Sequence, residues 1–471
     1  MGKSKLSKSV AETAKKSAHP ESSRARALVA DLQKRGFQRA KVGGFDLDGV
    51  LRGKYVSVEK LESALSKGFG FCDVIFGWDV ADALYDNAKV TGWHTGYPDT
   101  QAVLDPSTAR PIPWEPGVIS MLADFRDGSG APHPACPRSV LKRVLARAAK
   151  LGFSAKVGAE YEFFLFKETR DSLVAKGFNN LTPIDPGMFG YSWVRSGQDA
   201  ELMRDIWDSM TASDIELEAL HAETGPGVYE AALRYDDALA IADKAALFKP
   251  LLKQIAHRHG LSATFMAKWN ASLPGCSGHL HQSLWKGGKN AFFEANSKRG
   301  MSAVMEHFLA GQLALMNELT AVVSPTINSY RRYVPGVWAP MVPTWGVENR
   351  TCSLRVIGLD DASALRVEHR QPAADMNPYL AMAATLGAGL WGIEHQLRLP
   401  PEVQGDAGAA DASRVPRNLR EANAALAGSV AAREILGAEF VEHYVRTRDW
   451  EVRAFEAAVT DWELKRYFEI I

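Results

Sequence analysis

The sequence has no excess of charge of either sign, few cysteines and no long hydrophobic run. Lys and Arg together number 55, as do Asp and Glu, in 471 residues. This balance removes the usual reason to expect nucleic acid or an anionic membrane as a partner. The longest apolar stretch, residues 379–393, is too short to span a bilayer and predicts a buried helix instead.

The four cysteines are far apart and match no zinc-binding spacing: Cys72, Cys136, Cys276 and Cys352. This pattern is typical of a reducing cytosol, so we expect a cytoplasmic protein. Neither a secretory signal nor a Walker A or kinase loop is visible. Residues 1–20 are rich in Ser, Ala and Lys, which predicts a disordered tail; a targeting peptide is the minor alternative.

The rest of the chain divides into two predicted domains of an α+β fold. Residues 21–130 read as a helix followed by short strand-like runs that Gly and Pro interrupt. The Pro-rich segment "APHPACP" at 131–137 marks the boundary. Residues 135–471 alternate strands with helices and end in a helical, charge-rich segment.

The stretch "GFDLDGVLRGK" at 43–53 has two possible meanings. Its Asp-x-Asp resembles the nucleophile motif of haloacid-dehalogenase phosphatases, with Asp46 and Asp48 as the catalytic carboxylates. That reading needs further βα units with a Lys and an acidic pair, and no such series follows. An Asp-Gly pair between two alternating runs is instead typical of a β-hairpin, which we favour.

Charged side chains recur inside segments that otherwise read as buried strands. In "KVGAEYEFFLFK" (156–167), Glu160 and Glu162 share one strand face because side chains two apart point the same way. Two buried carboxylates repel each other and lose hydration, so they need a compensating cation. A solvated edge strand is the alternative.

Three later segments add groups of the same kind. They carry Glu223 and Glu230 around a Gly-Pro-Gly loop, His279 and His281 in a strand-like run, and Arg366, Glu368 and Arg370 on one strand face. Glutamates with a histidine suit two divalent ions of the Mg²⁺ or Mn²⁺ type. Two such ions beside several arginines are the arrangement that phosphoryl transfer requires.

These pieces, in this order, resemble the glutamine synthetase superfamily over roughly residues 38–471. The resemblance is carried by "GAEYEFFLF", "HAETGPGVYE", "GCSGHLHQSL", "SYRRYVPG", "NRTCSLRV" and "EHRQPAADMNPYLAMAA". It implies a small N-terminal β-grasp domain, begun by the 43–53 hairpin, and a large catalytic domain with a curved antiparallel sheet flanked by helices. It also implies a homo-oligomer, usually two stacked hexameric rings forming a dodecamer, with active sites between subunits.

The resemblance also implies site residues and substrates. One metal would be held by Glu162, Glu223 and Glu230, and a second by Glu160, His279 and Glu368, with two or three Mg²⁺ or Mn²⁺ ions per site. Arg332, Arg350 and Arg370 would act in catalysis and, with Gly275, bind L-glutamate. ATP would lie along Glu218, His281, Ser283 and Arg355.

The sequence departs from the family where ammonium would bind. The family's Asp of a "FDGSS"-like segment is Gly77 here, the flap Glu after "VPG" is Trp338, and Pro274 replaces an Asn. Without these carboxylates the pocket suits an organic amine lying against Phe76, Trp78 or Trp338, with Asp79 available to a distal ammonium. We expect an ATP-dependent γ-glutamyl-amine ligase. The alternatives are an ammonia-using glutamine synthetase and a non-catalytic ring scaffold, which the complete metal set argues against.

Overall fold

The computed structural model describes residues 20–297, 299–409 and 413–471. The tail predicted for residues 1–20 lies outside the described residues, apart from Pro20. The strands, numbered along the chain, are β1 Arg39–Phe45, β2 Leu51–Ser57, β3 Phe69–Cys72, β4 Asp99–Leu104, β5 Arg110–Pro111, β6 Val118–Arg126, β7 Ser154–Phe166, β8 Leu217–Ala222, β9 Val228–Asp237, β10 Ser262–Thr264, β11 Leu280–Lys286, β12 Lys289–Asn290, β13 Trp345–Val347, β14 Leu354–Ile357 and β15 Arg366–His369.

Helices flank these strands and fill the C-terminal part of the chain. They are α1 Pro20–Lys34, α2 Val58–Lys67, α3 Pro137–Lys150, α4 Arg170–Ala175, α5 Trp193–Gln198, α6 Ala200–Ala212, α7 Ala238–Arg258, α8 Ala303–Ala314, α9 Met316–Val323, α10 Pro378–Glu394, α11 Leu419–Gly428, α12 Val430–Leu436, α13 Ala438–Ala457 and α14 Asp461–Tyr467. None of the described helices combines the length and the apolar character that crossing a membrane would need.

The first sheet is built by residues 39–126 and is consistent with a β-grasp domain. Its strand order is β2–β1–β6–β4–β3, with β5 paired to β6. Strands β1 and β6 are parallel, whereas β1 and β2 form an antiparallel hairpin. Helix α2 presents Val58, Leu61 and Ala64 as its buried residues.

The hairpin prediction for the 43–53 stretch is confirmed. Gly49 adopts a φ of +77° in the turn between β1 and β2, a conformation that glycine adopts at little cost. The Oδ1 of Asp46 accepts hydrogen bonds from the backbone N–H groups of Asp48 (3.1 Å) and Val50 (2.9 Å). Asp46 therefore organises a turn, which is the role expected of an Asp in this position.

The second sheet is the larger one, and it forms a curved half-barrel. Its strand order is β13–β14–β15–β11–β7–β9–β8, with β10 paired to β7 and β12 paired to β11. Strand β7 lies in the middle between β9 and β11, both antiparallel to it. Almost every residue of β7 beyond Ser154 is buried or half-buried, as expected for a strand covered on both faces.

Helix α10 confirms the buried helix predicted from the apolar run. Nearly all of its side chains from Pro378 to Gly392 are buried. It packs against α3, α7, α8 and α12. The helices therefore form a layer that supports the second sheet.

A buried ion pair fastens the hairpin of the first sheet to the C-terminal helices. The Nη2 of Arg448, on α13, donates to the Oδ1 of Asp48 at 2.7 Å, and Arg448 is only 3% exposed. Its Nη1 donates to the carbonyl of Pro325 at 2.9 Å. Asn377 donates from Nδ2 to the carbonyls of Asp46 and Leu47. The turn is thus held from two sides.

We expect Arg448→Met to destabilise the protein by about 3–5 kcal/mol, because it leaves the Asp48 carboxylate buried without its partner. Urea titration followed by circular dichroism measures this loss. Adding Asp48→Asn should recover part of it, since the amide carries no charge. The exposed Arg417, changed to Met, is the control and should alter stability by less than about 0.5 kcal/mol. An equally small effect of Arg448→Met would contradict the role of the ion pair.

Candidate active site

Neighbouring strands of the second sheet bring charged side chains into one region. Strand β7 lies beside β9 and β11, β8 lies beside β9, and β15 lies beside β11. In this register Glu162 is opposite Glu230, and His281 is opposite Glu368. Residues far apart in the sequence therefore meet because the strand pairing aligns them.

The first cluster consists of Glu160, His279 and Glu368. One ligand atom from each lies within 4.8 Å of the others. The Nδ1 of His279 is 3.2 Å from the Oε2 of Glu160 and 3.4 Å from the Oε1 of Glu368. The structure thus brings together the three residues that the sequence assigns to one metal.

The second cluster consists of His221, Glu223 and Glu230, whose ligand atoms also lie within 4.8 Å of one another. His221 is 3.8 Å from Glu223 through Nδ1 and 3.6 Å from Glu230 through Nε2. The predicted set contains Glu162 in place of His221. Glu162 lies beside this cluster instead, and its Oε2 accepts a hydrogen bond of 2.6 Å from the backbone N–H of Ser277.

Burial and neighbouring charge set the protonation of these groups. Burial, together with repulsion from Glu230 and Glu223, raises the pKa of Glu162 to about 7. For Glu160, burial raises the pKa, but attraction to His281 and His279 outweighs it and leaves the pKa well below its usual range. The pKa of His279 is raised, since Glu160 and Glu368 outweigh burial and Arg370.

The donor atoms of both clusters fit divalent cations. The Nδ1 of His279 faces the carboxylates of both Glu160 and Glu368, so these three side chains present their ligand atoms to one another. Carboxylate oxygen and imidazole nitrogen are ligands that Mn²⁺ accepts, and Mg²⁺ prefers the oxygens. A bound cation would also offset the repulsion between the glutamates.

Two of the three predicted catalytic arginines lie at the edge of this region. Arg370 donates from Nη1 to the Oε1 of Glu368 at 2.5 Å. Arg332 is 2% exposed and donates to the hydroxyl of Ser277 at 3.0 Å and to the carbonyl of Gln371. The Nε atoms of both arginines are buried without a partner among the described residues. Arg350 is exposed, and its charge acts on Tyr191 beside the second cluster.

Gly275 packs directly against Arg332. A Cβ at this position would be 2.5 Å from the carbonyl oxygen of Ala267 and 3.0 Å from the Cγ of Arg332. A methyl group here would therefore force the Ala267 backbone to move and would press on Arg332. This contact joins two residues that the sequence assigns to glutamate binding.

A cavity of about 320 Å³ opens beside Glu160 and contains three of the four predicted ATP residues. Glu218, His281 and Ser283 line it, together with Arg366. The Nε of Arg366 lies 3.2 Å from the Nδ1 of His281. Arg355 instead contacts Glu368 at 3.2 Å and Glu348, which places it near the first cluster.

The predicted amine residues are not brought together within one chain. Phe76 is fully buried and stacks on His133 at 4.5 Å between ring centroids, so it packs in the core of the chain. Trp78 and Asp79 lie next to it in the β-grasp part. Trp338 is 68% exposed and lines a separate cavity with Asp406 and Arg414.

Comparisons with known proteins agree with this geometry. The profile of the family "Glutamine synthetase, catalytic domain" matches residues 134–467. The chain belongs to the glutamine synthetase family. It is an ATP-dependent carbon–nitrogen ligase, and members of this family generally depend on divalent metals, bind ATP and glutamate, and form oligomers.

Individual members of the glutamine synthetase family match over most of the chain. Type-1 glutamine synthetase 2 of Dictyostelium discoideum is 47% identical over 92% of this chain and 84% of its own length. Gamma-glutamylethanolamide synthetase GlnA4 of Streptomyces coelicolor is 41% identical over 90% and 91%. Glutamate--isopropylamine ligase of a Pseudomonas species is 38% identical over 93% and 97%.

A solved structure of the GmaS/ADP complex has the same fold. It superposes with a TM-score of 0.82 and 31% identity, covering 94% of this chain and 99% of that one.

Sequence reasoning missed two side chains at the second cluster of this ligase. His221 lies two residues before Glu223, so the strand period of two was a usable signal for it. Tyr191 stacks on His221 at 4.7 Å between ring centroids, and burial beside Glu223 and Glu230 raises the pKa of its hydroxyl. Tyr191 comes from the loop before α5, and no local pattern points to it.

We expect Glu162→Ala to weaken Mn²⁺ binding by about 10- to 100-fold and to abolish phosphate release from ATP, because the site loses a carboxylate whose charge favours the cation. Isothermal titration with Mn²⁺ and a phosphate assay measure the two effects. Glu216→Ala removes an exposed glutamate near β8 and is the control. Wild-type affinity in Glu162→Ala would refute its role in metal binding.

We expect Gly275→Ala to lower kcat/KM for glutamate on the order of 100-fold, because the new methyl group forces the Ala267 carbonyl aside and presses on Arg332. Steady-state kinetics with glutamate varied at saturating ATP give the value. Gly128→Ala is the matched control, since a Cβ there meets no atom within 4 Å. Unchanged glutamate kinetics in Gly275→Ala would separate Arg332 from glutamate binding.

Proposed function

We propose that the protein joins the γ-carboxylate of L-glutamate to an organic primary amine, using ATP and forming a γ-glutamyl amide. The observation that carries this proposal is the absence of an acidic side chain at both positions where the family resemblance expects one for ammonium. Position 77 is glycine and position 338 is tryptophan. Two clusters of side chains that could hold a metal ion are, in contrast, present.

The surroundings of Gly77 support the proposal. A Cβ on Gly77 would meet the Cγ2 of Thr91 at 3.0 Å and the Cε1 of Tyr97 at 3.1 Å. A side chain at position 77 would therefore require Thr91 or Tyr97 to move by a few tenths of an ångström.

The chemistry follows from what ammonium requires. Nearby carboxylates favour the ammonium cation and can accept its proton, so their loss removes both effects. An exposed indole such as Trp338 offers flat apolar surface to the substituent of an amine instead. The pocket therefore favours R–NH₂ over ammonium.

The proposed reaction has two steps that balance. A γ-carboxylate oxygen of glutamate attacks the terminal phosphorus of ATP, which forms γ-glutamyl phosphate and releases ADP. The amine nitrogen then attacks the acyl carbon, loses a proton, and expels phosphate. Arg332 and Arg370 are proposed to bind the carboxylate and the transferred phosphoryl group. Divalent ions held by the two clusters would neutralise phosphate charge.

Two relatives support an organic amine, since one is named as a ligase of glutamate and isopropylamine and the other as a synthetase of gamma-glutamylethanolamide. A second candidate function is ammonia-dependent glutamine synthesis. The observation that favours it is the 47% identity to a relative named as a type-1 glutamine synthetase. We retain the organic amine because Gly77 and Trp338 differ from what ammonium binding needs.

The oligomeric state, the cellular location and the domain boundaries are proposed as well. We propose a dodecamer of two stacked hexamers with active sites between subunits, a cytoplasmic location, and a division into domains at residues 21–130 and 135–471. Shared active sites would explain why Trp338 lies apart from Trp78 within one chain. Gel filtration with light scattering tests the ring.

The decisive measurement is phosphate release from ATP and glutamate with Mg²⁺ across ammonia, ethylamine, isopropylamine, ethanolamine, aniline, putrescine and spermidine. We expect at least one organic amine to exceed ammonia in kcat/KM by about tenfold or more. Mass spectrometry of the γ-glutamyl amide confirms the product. Ammonia as the best acceptor would establish the second candidate instead.

We expect Trp338→Glu to shift acceptor preference toward ammonia, because the new carboxylate favours the ammonium cation. The ratio of kcat/KM for ammonia to that for the best amine should rise by about tenfold, equivalent to about 1.4 kcal/mol. Trp338→Gln, which has similar size and no charge, is the control. An unchanged ratio in Trp338→Glu would mean that Trp338 has only a packing role.

A further inference from the structure

An acid that the proposed reaction does not use lies against the segment that carries Arg332. Asp375 belongs to the connector, residues 371–376, which lies between β15 and α10. The Oδ2 of Asp375 accepts hydrogen bonds from the hydroxyl of Thr326 at 2.7 Å and from the hydroxyl of Ser329 at 2.8 Å. The two donors lie 49 and 46 residues earlier in the chain. One carboxylate oxygen thus holds two points of a distant segment.

The segment that Asp375 holds is the one that presents Arg332. Ser329 and Arg332 both belong to the short 3-10 helix Asn328–Arg332. Residues three apart in a 3-10 helix lie on the same side, one full turn from each other. Ser329 is fully buried, and its backbone N–H donates to the hydroxyl of Thr326 at 3.1 Å. An anchor on these hydroxyls therefore fixes the turn from which the guanidinium of Arg332 extends.

The connector contacts the same segment at further points. The carbonyl of Gln371 accepts a hydrogen bond from the Nη2 of Arg332. The backbone N–H of Ala373 donates to the carbonyl of Val323 at 3.0 Å. Arg370, the other arginine beside the first cluster, directly precedes the connector. The pairing of these two segments therefore sets the two arginines relative to each other.

A lysine from α7 fixes the backbone on both sides of Asp375. The Nζ of Lys249 donates to the carbonyl of Ala374 at 2.6 Å and to that of Met376 at 2.5 Å. Burial raises the pKa of Asp375, whereas the hydroxyl donors and the charges of Lys249 and Arg332 act against that rise. The two cations therefore offset part of the cost of burying the carboxylate.

From these contacts, and resting on the role proposed above for Arg332, we infer that Asp375 is a positioning residue for glutamate binding. By accepting from Thr326 and Ser329, it keeps Arg332 where the guanidinium can bind glutamate. The amine-ligase function requires Arg332 but assigns no role to Asp375.

The test measures the two substrates separately. Asp375→Ala removes both hydrogen bonds and frees the turn, so we expect KM for glutamate to rise by about tenfold or more while KM for ATP changes by less than about twofold. Asp375→Asn keeps an oxygen that can accept from both hydroxyls, and it should restore KM for glutamate to within about threefold of wild type. Phosphate release with the best acceptor of the panel, ammonia included, gives both constants.

A similar pair elsewhere in the chain provides the control. Asp205, on α6, accepts a hydrogen bond of 2.9 Å from the hydroxyl of Ser209 and lies 2.8 Å from the Nε2 of His259. Asp205→Ala should lower thermal stability and leave KM for glutamate unchanged. If Asp375→Ala does not fold, Ser329→Ala removes one donor and should raise KM for glutamate by about threefold or more. Ser209→Ala should not raise it.

The outcomes separate this inference from the proposed function. An unchanged KM for glutamate in Asp375→Ala, or in Ser329→Ala if the former does not fold, overturns the positioning role, as do equal losses for glutamate and ATP. A loss that Asp375→Asn fails to recover overturns its assignment to the two hydroxyls. Ammonia as the best acceptor, with the expected rise in KM for glutamate, overturns the amine-ligase proposal and supports the role of Asp375. No phosphate release with any acceptor overturns both.

Discussion

Repulsion between buried carboxylates is the constraint that the centre of this protein has to satisfy. Strand β7 carries Glu160 and Glu162 inside the second sheet, and β9 adds Glu230 opposite Glu162. Folding these charges together is unfavourable unless cations accompany them. His279, Arg370 and Arg355 around Glu368 supply part of that charge, and divalent metals are the natural source of the rest.

The repulsion between these carboxylates affects both the stability of the fold and the chemistry of the site. A carboxylate such as Glu162, whose pKa is raised to about 7 by burial and by its acidic neighbours, favours any cation that enters. The carboxylates that would destabilise a metal-free core are therefore the same groups that suit a phosphate-transferring ligase. Gly275 packs against Arg332 at the proposed glutamate site.

The C-terminal helix α13 links the first sheet to the rest of the molecule. Arg448 holds the Asp48 turn, and Trp450 and His443 hold the segment that contains Gly77. Because one rigid helix contacts both, the proposed amine segment has little freedom to adapt to different acceptors.

The sequence by itself determined the features that depend on local geometry. A strand period of two was enough to place Glu160 and Glu162 on one face of β7, and the Asp48-Gly49 pair was enough to predict the hairpin. The family motifs, met in order, identified the fold and the residues of the first cluster. Predictions that rested on short-range geometry or on long, specific motifs therefore agree with the structure.

Only the tertiary structure decided the contacts that join distant segments. Strand register brought His221 to Glu230, core packing buried Phe76, and a pairing across 400 residues joined Arg448 to Asp48. The same holds for Arg52 over Trp78, since nothing in either local sequence names the other. Such contacts are set by how the two sheets and the helices pack, and packing depends on the whole chain at once.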